Sequence, residues 1–163
     1  MDKRTLRIDK MRYQTNRSAY SLVLLSLVVS IIALFTLINY DDFGQGSAPT
    51  RVVPDLRIGL EIALGIIMML VTFLGAEKVK FYDPLWSKIG LFVLAGINIF
   101  RMVNIPLYAF SKNWISATTK AVTMLEFGVA AGLLIAAGVI SFWKVVRLHH
   151  HLKAMEPYGN DAV

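Results

Sequence analysis

Four long apolar stretches set the limits on what this chain can fold into. They run Tyr20–Tyr40, Ile58–Ala76, Pro84–Ile105 and Ala121–Trp143. A helix rises ~1.5 Å per residue, so each is about long enough to cross a hydrocarbon layer of roughly 30 Å. The expected fold is an all-α integral membrane protein, a four-transmembrane-helix bundle. A basic segment, residues 1–19, precedes the transmembrane domain, residues 20–143, and a tail, residues 144–163, follows it. The longest polar connection, Asp41–Arg57, is too short for a separate soluble domain. Hydrophobic residues make up 56% of the chain, above the ~45–50% of a soluble domain, and the spans account for the excess.

Charge gives a direction to the bundle. The formal net charge is +6, which in a soluble protein would raise nucleic-acid binding. Here the basic residues sort by loop. Lys3, Arg4, Arg7, Lys10, Arg12 and Arg17 precede the first span, Lys78, Lys80 and Lys88 flank the second connection, and Lys144, Arg147 and Lys153 follow the last span. Only Arg51, Arg57, Lys112 and Lys120 lie on the other side. The positive-inside rule therefore predicts a plasma-membrane protein with both termini cytoplasmic. The basic ends face anionic headgroups, and no nucleic-acid partner is expected. The first apolar run is too long for a cleaved signal peptide and reads as an uncleaved signal-anchor.

Local signals place the helix ends. Met1–Asn16 reads first as a solvated, orienting tail, with a short interfacial helix as the alternative. Gly44, Gly46, Ser47, Pro49 and Pro54 make the first connection a loop, and Asp55 is a candidate N-cap for the second span. Asp83 followed by Pro84 is a helix-start signal. Tyr82 and Trp86 suit one interfacial aromatic belt, and Tyr108, Phe110 and Trp114 the other. Pro106 is expected to end or kink the third span, and Ser116–Thr119 supply caps for the fourth. Small residues mark helix-packing faces: Ser26 and Ser30 on the first span, and Gly128, Gly132 and Ala136 on the fourth, where a partner inside the bundle is expected ahead of one in another subunit.

One polar cluster stands out. Glu61, Arg101 and Glu126 lie within spans, each about 24–27 Å from the cytoplasmic helix end by residue count. Their depths match, so they are expected to meet, with Asn98 and Asn104 flanking Arg101 and Arg57 one turn above Glu61. An Arg inside a span costs at least ~2.5–3.5 kcal/mol unless it pairs or snorkels. The first reading is a network that sets helix register. The second is a site for an ion, a proton or a polar ligand. The run His149, His150 and His151 spreads around a helix and does not converge as an i, i+4 pair would, so no metal site is expected. The chain has no cysteine, which excludes thiolate metal centres and thiol redox chemistry. No nucleophile elbow, zinc-protease motif or phosphate loop occurs, and nothing calls for a cofactor.

The stretch Met11-Arg-Tyr-Gln-Thr-Asn-Arg-Ser-Ala-Tyr-Ser-Leu-Val-Leu-Leu resembles the opening of small four-span proteins of Gram-positive bacteria. The Gly75-Ala-Glu-Lys-Val-Lys-Phe-Tyr turn and the Arg101…Ile105-Pro106 segment are similar too. The resemblance implies a membrane bundle, in some cases encoded beside ABC-type transporter components, and brings no catalytic residues. The expected function is a non-enzymatic accessory or assembly subunit of a larger membrane complex, a transporter first among them, with other membrane subunits as partners. A small oligomeric transporter or channel using the Glu/Arg cluster is the alternative, and an integral-membrane enzyme is third.

Overall fold

A computed structural model describes residues 15–38, 56–112 and 115–155. All the regular structure among them is helical. Helix α1 is Arg17–Ile38 and α2 is Leu56–Lys80. A π-helical segment, Trp86–Gly90, leads into α3, Leu91–Ser111, and α4 is Ala117–Met155. Among the described residues, four helices are long and apolar enough to cross a membrane. Their outward faces carry large apolar side chains such as Leu25, Phe35, Ile67, Leu70, Val93 and Leu125. Exposed apolar surface of that extent marks a membrane or protein contact.

The helices pack in the order α2–α1–α4–α3. Helix α1 lies against both α2 and α4, and α3 leans on α4. Consecutive α2 and α3 hardly touch along their lengths, although α2 also contacts the π segment below α3. The seam between them is therefore closed at the turn and open above it.

The turn itself is short because its two helix ends share residues. The amide of Asp83 donates to the Lys78 carbonyl and that of Tyr82 to Val79, the two bonds of a Schellman cap. Tyr82 holds the left-handed position at φ 61°, where glycine is usual. Asp83 then starts the next helix: its Oδ1 accepts from the amides of Leu85, 3.0 Å, and Trp86, 3.2 Å. Trp86 wedges into the closed end of the seam. A Cβ built at Gly75 would lie 2.7 Å from the indole, and one at Gly90 would lie 2.6 Å from it. Both glycines are therefore steric requirements of the tryptophan. The π turn keeps Trp86 against α2 while the buried Ser87 reaches α4.

A polar knot fastens the same end. Asn16, fully buried, donates its backbone amide to the Lys80 carbonyl at 2.9 Å. Its Nδ2 donates to Ser141 Oγ at 3.1 Å, and Ser141 donates to Ser87 Oγ at 2.8 Å. Lys144 Nζ donates to Asn16 Oδ1 and to Ser18 Oγ. These bonds join the start of α1, the end of α2, the π segment and the lower part of α4. They also put the start of α1 and the lower part of α4 at the same end of the bundle.

Several sequence expectations need correction. Pro106 does not end its helix: α3 continues to Ser111, with Pro106 buried inside it. The turn beyond is held because Ala109 packs with Leu37 and Ile115. Residues 144–155 are not a tail but the last turns of α4. Gly132 and Ala136 do not pack internally. Gly132 is exposed with nothing within 4 Å of a built Cβ, and Ala136 is exposed. Gly128 does approach a neighbour, with Met102 Sδ 3.2 Å from its built Cβ. At 3.6 residues per turn a strict four-residue spacing rotates about 40° per step, so the row leaves the interface. The buried face alternates its spacing instead: Phe127, Ala130, Ala131, Leu134, Ala137 and Ser141. Ser26 is fully buried and donates to the Ala130 carbonyl at 2.9 Å, while Ser30 is half-buried. The expectations for residues 1–14, for Asn39 to Asp55, for Trp114 and for residues 156–163 lie outside the described residues.

The glycines give a direct test of this packing. Gly75→Ala should destabilise the bundle by about 1–3 kcal/mol through the clash with Trp86. Gly96→Ala and Gly132→Ala, whose added methyl groups meet nothing, should shift stability by less than about 1 kcal/mol, upward if at all. Unfolding of the purified variants in detergent micelles measures the difference.

Candidate functional site

The open upper seam between α2 and α3 has Arg57, Glu61 and Arg101 in its walls. Arg101 is 3% exposed, and its Nε donates to Glu61 Oε1 at 2.5 Å, bridging α3 to α2. Gly65 makes room for the guanidinium: a Cβ there would sit 3.3 Å from Arg101 Nη2 and 3.3 Å from Leu34. The other side of the guanidinium lies over the buried Phe127 ring, 4.9 Å from its centroid. Arg101 is thus held by one carboxylate, one aromatic face and one glycine notch.

Glu126 does not join this pair among the described contacts. Its Oε1 accepts from Thr36 Oγ1 on α1 at 3.2 Å, and its Oε2 is buried without a hydrogen-bond partner. Equal depth was a correct requirement for contact but not a sufficient one. Glu126 and Phe127 are neighbours in sequence, about 100° apart around α4, and it is Phe127 that faces Arg101. The flanking amides are also occupied locally. Asn98 Nδ2 donates to the Leu94 carbonyl and Asn104 Nδ2 to the Phe100 carbonyl, both at 3.1 Å. Arg57 stacks on Tyr108, its guanidinium carbon 4.0 Å from the ring centroid. Thr36, Gly65, Phe127 and Tyr108 were missed as partners. Only Gly65, one turn beyond Glu61 on the same helix, left a readable signal.

Two cavities meet at Arg101. The larger, about 170 Å³, fills the seam, with Arg57, Glu61 and Leu64 on one wall and Ile97, Phe100, Asn104 and Tyr108 on the other. The smaller, about 10 Å³, lies inward between Ser30, Gly65, Thr72, Asn98 and Arg101. It is close to the size of a single water site. Asn98, 2% exposed, lines it, and its Oδ1 has no hydrogen-bond partner. A water there would satisfy that oxygen. His149 and His150 lie exposed on the last turns of α4, and no group of three potential metal ligands occurs among the described residues.

No family model, curated protein or solved structure matches the chain.

The pair predicts a strong coupling. Arg101→Met should destabilise the protein by about 3–5 kcal/mol, because it strands Glu61 in the bundle. Arg101→Met with Glu61→Gln should recover most of that loss. Adding Glu126→Gln to Arg101→Met should instead give effects that sum to within about 0.5 kcal/mol, since Glu126 has a different partner. A double-mutant cycle on unfolding free energies separates the two patterns.

Proposed function

We propose that the protein is a non-enzymatic accessory or assembly subunit of a larger plasma-membrane complex, a transporter first among the candidates. The observation that carries this reading is the outward Gly132–Ala136 edge of α4, the longest helix, which the fold itself leaves unused. Between lipid-facing helices the hydrophobic effect gives no drive to associate, so contact relies on small residues that let backbones approach. A partner transmembrane helix is the natural occupant of such an edge. Replacing Gly132 and Ala136 together with Leu should leave the isolated protein folded and abolish a stoichiometric partner that co-purifies with the wild type in mild detergent. Retention of that partner by the double variant would overturn the reading.

A second reading is supported by the two cavities at Arg101. In it, the protein alone moves an ion or a polar solute past Glu61 and Asn98. Flux through liposomes containing only this chain, lost in Asn98→Leu, would favour it over the subunit reading.

Both readings have the termini in the cytoplasm, from the distribution of Lys and Arg. Cysteines introduced at Gly46 and Asn113 should then react with an impermeant thiol reagent on intact cells, and one at Asn160 should react only after permeabilisation.

A further inference from the structure

The geometry points to the α2–α3 seam as a binding site for one anionic phospholipid, with its phosphate on Arg57 and an acyl chain between the two helices. The site needs the bundle to lie in a bilayer but needs no partner subunit, so it stands or falls apart from the subunit reading.

Three observations lead to it. The first is shape. Helices α2 and α3 meet at the Trp86 wedge and part above it, leaving a cleft of about 170 Å³. That is close to an engineered ~150 Å³ cavity that takes up benzene, so a stretch of acyl chain fits. At its lip Phe100 is 67% exposed and Leu64 41% exposed, which leaves the cleft open sideways to lipid.

The second is charge. Arg101 is committed to Glu61. Arg57, exposed and stacked on Tyr108, has no carboxylate within ion-pair distance among the described residues. Among the described residues the cleft therefore carries one positive charge, at its upper end, that no carboxylate pairs. An exposed guanidinium stacked on an aromatic platform suits a phosphodiester, which it can grip with two parallel hydrogen bonds.

The third is the order of polarity along the walls. On α2 the residues pass from Arg57 to Glu61 to Leu64, over about 10 Å of helix. On α3 they pass from Tyr108 through Asn104 and Arg101 to Ile97. Both walls run from a charged or aromatic rim, through a polar layer, to an apolar floor. A phospholipid has the same order: phosphate, ester, acyl chain. A free phosphate would use only the rim, and an apolar partner helix would bring Arg57 no counter-charge. A second basic surface hollow is made by Trp143, Lys144, Arg147 and their neighbours on α4 alone. It has no second wall to hold a chain.

The test uses the full-length protein in detergent and phosphatidylglycerol carrying a photoreactive diazirine on an acyl chain. Mass spectrometry should map the adducts to α2 and α3 around Leu64, Ile97 and Phe100. Unlabelled phosphatidylglycerol should compete roughly tenfold better than phosphatidylcholine, which has the same phosphodiester but whose choline cation opposes the charge of Arg57. Inorganic phosphate should not compete. Arg57→Gln should erase the preference between the two lipids, while Lys120→Gln should preserve it. Leu64→Trp, which fills the cleft, should remove the adducts. Because Arg57 is exposed, its variant keeps the test valid even if the cleft-filling variant fails to fold. The site is overturned if adducts spread evenly over the outer helix faces or concentrate near Trp143. It is overturned equally if Arg57→Gln keeps the wild-type lipid preference, or if inorganic phosphate competes as well as the lipid.

Discussion

A guanidinium cannot remain inside an apolar bundle without a counter-charge, and much of this structure follows from how Arg101 finds one. Its partner Glu61 is on α2, a helix that α3 otherwise hardly touches. The ion pair is therefore the principal link across the upper seam. It sets the axial position of α2 relative to α3, since the hydrogen bond tolerates little sliding. It also favours Gly65, because a Cβ there would sit 3.3 Å from the guanidinium, closer than ordinary contact. Such a pair adds little stability over a well-packed apolar alternative, but losing one partner is costly.

The two ends of the seam are built on opposite principles. At the closed end an indole fills the space between Gly75 and Gly90, and Asn16, Ser87, Ser141 and Lys144 satisfy one another across three chain segments. The upper part has an ion pair and a cation–π stack with empty volume between them. Packing resists change at the first end because each atom there has neighbours at contact distance. The upper part can accept a guest without displacing any packed side chain. The unpartnered Asn98 Oδ1 behind Arg101 places a further polar demand on this region.

The small residues of α4 illustrate how helices associate where lipid surrounds them. Ala130, Ala131 and Ala137 allow α1 and α3 to come close, and Ser26 donates to the Ala130 carbonyl across the interface. Gly132 and Ala136 are equally small and lie only a few residues away, yet they face outward. Composition alone does not distinguish the two sets. Their angular position does, and it depends on where the other three helices settle.

Helix number, approximate span limits and the Asp83-Pro84 start were legible in the chain because each rests on local physics: apolar length, backbone caps and the fixed φ of proline. So was the need to compensate Arg101, because burying a charge is costly wherever it occurs. The identity of its partners was legible only in part. Glu61 and Glu126 have matching depths, but depth is one coordinate of two, and the rotation of α4 decides that Phe127 rather than Glu126 faces the guanidinium. The same limit applies to the buried knot around Asn16, whose members are 125 residues apart in the case of Asn16 and Ser141. It applies also to Tyr82, whose left-handed backbone no glycine announced. Sequence by itself determined where the four apolar helices lie, though not where α3 and α4 end, and that a charge such as Arg101 must be paired. Tertiary structure alone decided which neighbour each group meets, because a helix of known length can still turn about its axis, and only packing against the others fixes that angle.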